Sequence, residues 1–72
     1  MNYTILIADD DRELVRMLKT FFEIRRYSVI TAENGTEALK MAERSPDIIL
    51  LDINMPGADG LEVCRRIRDK VS

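Results

Sequence analysis

Four carboxylates leave the ends of two short apolar runs in this sequence. Asp9, Asp10 and Asp11 follow directly on Ile5-Leu6-Ile7-Ala8, and Asp52 follows directly on Ile48-Ile49-Leu50-Leu51. A short apolar run bounded by turn residues reads as a strand buried on both faces, the kind found in parallel sheets. The carboxyl ends of such strands are where open α/β sheets place their ligands. Two carboxylates about 5 Å apart repel by roughly 3 kcal/mol at an effective dielectric near 20, so a converged set calls for a cation. Hard oxygen donors that keep several waters suit Mg²⁺. The plainer reading is that the first three acids only cap the helix after them. A cap needs a single acid, and Asp11 is the one placed for it.

The elements that must position these groups can be read in order. Tyr3 to Ala8 is β-rich and apolar. Leu14, Val15, Leu18, Phe21, Phe22 and Arg25 then recur at helical spacing, which predicts a helix over roughly 12–25 with Phe21 and Phe22 at or near the core. Tyr27 to Ala32 is a second strand by β-branched content. Asn34-Gly35 marks the turn after it, and Thr36 or Asn34 can cap a helix that runs to Arg44. Ala38, Leu39 and Ala42 form its inward face, with Met41 partly covered. Ser45-Pro46-Asp47 stops that helix, because proline disfavours α geometry in the residue before it. After the third strand, 57–60 reads as a loop. Leu61 to about Val71 is a last helix, with Leu61, Cys64, Ile67 and Val71 as its apolar stripe. Arg65, Arg66 and Arg68 lie on its solvated side.

The resulting order, β-α-β-α-β-α with short connections, implies an α/β fold with parallel strands and right-handed crossovers. The three candidate acids Asp9, Asp10 and Asp52 converge only if strands one and three are neighbours, with strand two beyond strand one.

Composition narrows the class. Seventy-two residues make one small domain, and 46% hydrophobic content is that of a globular chain. With no His and one Cys, the chain has neither an internal disulfide nor a structural zinc site. A net charge of −2 leaves no footprint for nucleic acid. No apolar run approaches the roughly 20 residues of a membrane span, and the start lacks a signal peptide, so a cytoplasmic location is expected.

Ile5-Leu6-Ile7-Ala8-Asp9-Asp10-Asp11 resembles the first strand and acidic pair of response-regulator receiver domains. Ile48 to Pro56, with Gly60 following, resembles their phosphorylation segment, and Asn34-Gly35 before Glu37-Ala38-Leu39 resembles the start of their second helix. The resemblance spans all 72 residues and implies the N-terminal part of a flavodoxin-like receiver fold, with strands in the order 2-1-3. It further implies that Asp52 is the phospho-acceptor for a sensor histidine kinase. Asp10 and Asp52 would hold Mg²⁺ directly, Asp9 through a water, and Asn54 by its backbone carbonyl. The parent resembles winged-helix transcriptional regulators. The family's switch hydroxyl, its fifth-strand lysine and its later aromatic switch residue have no counterpart in these residues.

Other readings fit less well. A haloacid-dehalogenase-like phosphatase wants Asp-x-Asp, and position 54 is Asn. An EF-hand loop beginning at Asp52 would need a glutamate where Val63 stands. The remaining rival is a signalling-incompetent half-receiver that serves only as a self-associating scaffold. On that reading Ile48 to Leu51 is an open apolar edge, expected to pair with another chain or to exchange elements with a second copy.

Overall fold

The computed structural model describes residues 2–52, 55 and 60–71. Six elements alternate: β1 (Thr4–Ala8), α1 (Arg12–Ile24), β2 (Ser28–Ala32), α2 (Gly35–Ala42), β3 (Ile48–Leu51) and α3 (Gly60–Val71). The strands form one parallel sheet in the order β2-β1-β3. Ile5 lies beside Val29 on one neighbour and beside Ile48 on the other, and Ala8 lies between Ala32 and Leu51. Each turn after a strand therefore emerges at the same sheet edge.

β1 is the strand buried on both faces. Ile5, Leu6, Ile7 and Ala8 are each no more than 1% exposed. Leu6 and Ala8 point into the main core with Ala32, Ala38, Ala42, Met55, Val63 and Ile67. The two alanines of α2 keep its backbone close to the sheet, as their spacing predicts. On the other face α1 packs over β1 and β2. Its Leu14, Val15, Leu18 and Phe22 are only half-buried, and no residue of this helix is fully buried.

Three expectations from the sequence need correction here. β3 is not buried on both faces: Ile48 and Leu50 are exposed, because α1 lies over the other two strands. Phe21 turns outward as well, where the Arg25 guanidinium lies 3.6 Å from its ring centroid. The stripe of α3 is rotated from the one expected. Leu61 and Cys64 are exposed, and Val63 replaces them beside Ile67. The two stripes share Ile67 and differ by a fraction of a turn; α2, packed against α3, selects the Val63 side.

The helix ends are set locally. Asp11 caps α1 by accepting from the Glu13 and Leu14 N–H groups, at 3.1 and 3.2 Å. Asn34, not Thr36, caps α2 through the Glu37 N–H, and the Glu37 carboxylate reaches back to the Glu33 N–H at 2.8 Å. This reciprocal pair is a capping box displaced by one residue. Asp47 ties β3 to the start of β1: its N–H donates to the Thr4 carbonyl and its carboxylate accepts the Thr4 N–H, both at 2.8 Å.

Arg26 ends the α1 turn with φ at 69°, a left-handed conformation that β-carbons disfavour. Arg26→Gly is therefore expected to stabilise the fold by about 0.5–1 kcal/mol, after allowing for glycine's freer unfolded state. Urea denaturation would measure it. A midpoint below that of the parent would refute the assignment of strain.

Candidate metal and phosphoryl-acceptor site

Backbone hydrogen bonds carry the sheet one residue past its strands at the carboxyl edge. The Asp9 N–H donates to the Ala32 carbonyl at 3.1 Å, and the Asp52 N–H donates to the Ala8 carbonyl at 2.9 Å. Both acids thus leave the sheet from fixed, adjacent strand ends. Asp10 follows Asp9 into the turn that leads to α1. One carboxylate oxygen from each of Asp9, Asp10 and Asp52 lies within 4.8 Å of the other two. Asp9 and Asp52 are half-buried and Asp10 is exposed.

The convergence depends on strand order. With β1 central and β3 beside it, the ends of β1 and β3 are neighbours, and the crossover leaves a crevice there. The three acids singled out in the sequence are the three brought together, and Asp11 caps α1 as anticipated. Asn54 lies outside the described residues, as do Pro56 and most of the predicted loop at 57–60.

At such a separation Asp9 and Asp52 repel by roughly 3 kcal/mol at an effective dielectric near 20. The donor set is all carboxylate oxygen, open to solvent on the Asp10 side, with no nitrogen or sulfur donor in the group. Such a set fits a hard divalent ion that retains waters, and Mg²⁺ above the transition metals. Ile7, Leu18, Leu50 and Leu51 line an apolar groove with Asp9 and Asp52 at its margin. The site therefore has water on one flank and a low-dielectric wall on the other.

One contact at the site was not expected from the sequence. The Asp11 backbone N–H donates to Asp9 Oδ1 at 3.0 Å. An aspartate that accepts the N–H two residues on makes an Asx turn, a local habit of this residue type; which of three successive acids makes it depends on the turn.

A parallel three-stranded α/β layer with an acidic trio at the carboxyl edge of β1 and β3 defines the class of this chain. Comparison with known proteins agrees: the chain belongs to the response regulator receiver domain family, which matches residues 5–72. The transcriptional regulatory protein ResD of Bacillus subtilis is 49% identical over 67 residues, covering 92% of this chain and 28% of ResD. PhoP, the alkaline phosphatase synthesis transcriptional regulatory protein of the same organism, is 46% identical over 71 residues, covering 97% and 30%. The chain thus spans about 30% of the length of these relatives. Among solved structures, the response regulator TrrA of Thermotoga maritima, in complex with Mg²⁺-BeF, superposes with a TM-score of 0.85 at 43% identity. That match covers 94% of this chain and 60% of TrrA. The N-terminal domain of a protein from Wolinella succinogenes gives 0.90 at 32% identity, covering 100% and 59%. Receiver membership and the flavodoxin-like 2-1-3 arrangement are the family and fold that the motifs implied. Among the described residues, no helix is long and apolar enough to cross a membrane.

Proposed function

We propose that the chain is the N-terminal part of a receiver domain that accepts a phosphoryl group on Asp52 from the phosphohistidine of a sensor histidine kinase. The observation that carries this reading is the convergence of Asp9 and Asp10 on Asp52. Asp10 and Asp52 would hold Mg²⁺ directly, Asp9 would hold it through a water, and Asn54 would contribute its backbone carbonyl, as the family resemblance implies. Bound Mg²⁺ supplies charge neutralisation between the carboxylate and the incoming phosphoryl oxygens. An Asp52 carboxylate oxygen attacks phosphorus in line, the P–N bond breaks, and its electron pair leaves with the imidazole. The product is an aspartyl phosphate. Transcription is the proposed output, by likeness to ResD and PhoP, whose names describe transcriptional regulators. The proposed parent joins the receiver to a winged-helix domain in the cytoplasm. This segment itself contacts neither nucleic acid nor membrane.

The test is intact-mass measurement after incubation with a small phosphodonor. A gain of one phosphoryl group that requires Mg²⁺ is expected. No gain at any Mg²⁺ concentration would refute the reading.

A second reading, a self-associating scaffold, draws on one observation. β3 ends the sheet, and among the described residues no strand pairs with its outer edge. Its Ile48 and Leu50 are exposed on the α1 face of the sheet, beyond the two strands that α1 covers. Unpaired N–H and C=O groups beside exposed aliphatic side chains are a template for another strand. Light scattering at micromolar concentrations is expected to give a mass above the monomer, and Ile48→Lys with Leu50→Lys to return it to the monomer. A clean monomer in the parent chain would overturn this association.

A further inference from the structure

We propose that the open edge of β2, with the cationic flank of α1 beside it, docks an extended acidic segment of a partner protein. β2 is the other end of the sheet, and among the described residues no strand pairs with its outer side. The ladder to β1 shows which backbone groups it leaves outward. The Ser28 N–H donates to the Tyr3 carbonyl and the Ala32 carbonyl accepts the Asp9 N–H, so Ser28, Ile30 and Ala32 turn toward β1. Hydrogen-bonding direction alternates along a strand, which points the N–H and C=O of Val29 and Thr31 out of the sheet. Native sheets blunt such an edge with charge or proline on the strand itself. Ser28-Val29-Ile30-Thr31-Ala32 has neither.

The charge sits on the neighbouring helix instead. Arg12, Arg16 and Lys19 recur at i, i+4 and i+7, which puts them on one flank of α1. With Thr31 they line a groove of roughly 240 Å³ between that helix and β2. Arg12 is paired with Glu33 at 3.4 Å, whereas among the described residues Arg16 and Lys19 form no ion pair. A strand added at this edge has every second side chain on the α1 face, where Thr31 lies. Those side chains recur about every 6.8 Å, and Arg16 and Lys19 stand about 4.5 Å apart along their helix, so two acids at i and i+2 reach both. Backbone pairing then supplies the contact and the cations the preference for acids, as is general for strand addition. Asp9 and Glu33 stand at the Arg12 end of the groove. A peptide can confine its acids to the Arg16 and Lys19 end, whereas a nucleic acid would carry its regular phosphates past both carboxylates. The occupant that fits is a peptide.

The experiment is fluorescence anisotropy of the end-labelled peptide Thr-Glu-Val-Glu-Val-Glu-Thr with the 72-residue chain and its variants, each checked for helicity by circular dichroism. Saturable binding to the parent is expected, and none of the same peptide with lysine in place of glutamate. R16E/K19E should weaken binding about tenfold or more, and the milder R16A/K19A about threefold. R65E/R68E makes the same change in net charge on α3, which packs on the opposite face of the sheet, and should stay within about twofold of the parent. T31P removes one outward N–H and keeps the ladder to β1, so a loss of about fivefold is expected. If T31P does not fold, a peptide N-methylated at its glutamates and valines makes the same test from the other partner. No binding by the parent would overturn the proposal, and so would equal affinity for the lysine peptide. Equal losses in R16E/K19E and R65E/R68E would assign the effect to net charge and overturn it. Full affinity in folded T31P, or for the N-methylated peptide, would overturn strand addition. Tighter binding of an oligothymidylate of equal charge would give the groove to nucleic acid and overturn the choice of a peptide.

Discussion

Asp52→Asn is expected to abolish phosphoryl uptake completely, at any concentration of Mg²⁺ or phosphodonor. The amide oxygen carries no charge and is a far weaker nucleophile, so no reaction at this position replaces the one lost. Asp10→Asn should behave differently. It removes one of the proposed direct ligands and leaves the acceptor, so uptake should slow by about tenfold or more and recover in part as Mg²⁺ is raised. The contrast matters because three carboxylates lie within reach of one another, and proximity alone does not say which is the acceptor. Position separates Asp52 from Asp10: Asp52 is half-buried with its backbone fastened to the end of β1, whereas Asp10 is exposed in the turn; Asp9 is held in the same way as Asp52, so the variants have to separate those two. A fixed nucleophile can be aligned with an incoming phosphoryl group, and alignment is most of what a protein contributes to such a transfer. Intact-mass spectra of the parent and the two variants, taken across an Mg²⁺ series, decide the matter. Phosphorylation of D52N at the parent's rate would remove Asp52 from its role.

What the sequence made legible follows from which signals are local. Each strand announced itself by a β-branched or aliphatic run and each helix by its period, and all six elements fall within a residue or two of the expected spans. The acid trio was legible because two acidic ends of apolar runs need only one topological assumption to meet. The faces that failed are those decided by a neighbour. Leu61-x-x-Cys64 and Val63-x-x-x-Ile67 are equally good helical stripes, and only the location of α2 chooses between them. Ile48 to Leu51 is as aliphatic as Ile5 to Ala8, yet one strand sits at the centre of the sheet and the other at its edge. Phe21 illustrates a third case. Its spacing fits the buried stripe of α1, but the helix covers two strands and not three, which leaves this ring exposed, packed only against Arg25 and the edge of Phe22 among the described ring contacts.

The narrowness of the core leads to the largest expected effect on stability. Leu6→Ala should leave the chain largely unfolded at physiological temperature. Leu6 is fully buried in the central strand and packs in the cluster that joins sheet, α2 and α3. Its truncation is expected to cost about 2–5 kcal/mol, the range for a buried leucine replaced by alanine. A domain of this length has a total stability of only about 4–10 kcal/mol at the usual value per residue. Its open face puts it at the low end, since α1 has no fully buried residue and β3 has none either. For so small a domain each kcal/mol moves the melting temperature by about 4–8 °C, so a fall on the order of 10–30 °C is expected. Met17→Ala is the control, because Met17 is 63% exposed on α1 and its loss should change stability by less than about 0.5 kcal/mol. Thermal melts followed by circular dichroism would measure both. Equal melting temperatures for the two variants would mean that the Leu6 cluster does not hold the layers together. Because the acid trio is positioned by the ends of β1 and β3, the same melt should abolish Mg²⁺ uptake in step with helicity: the site exists only while the central strand does.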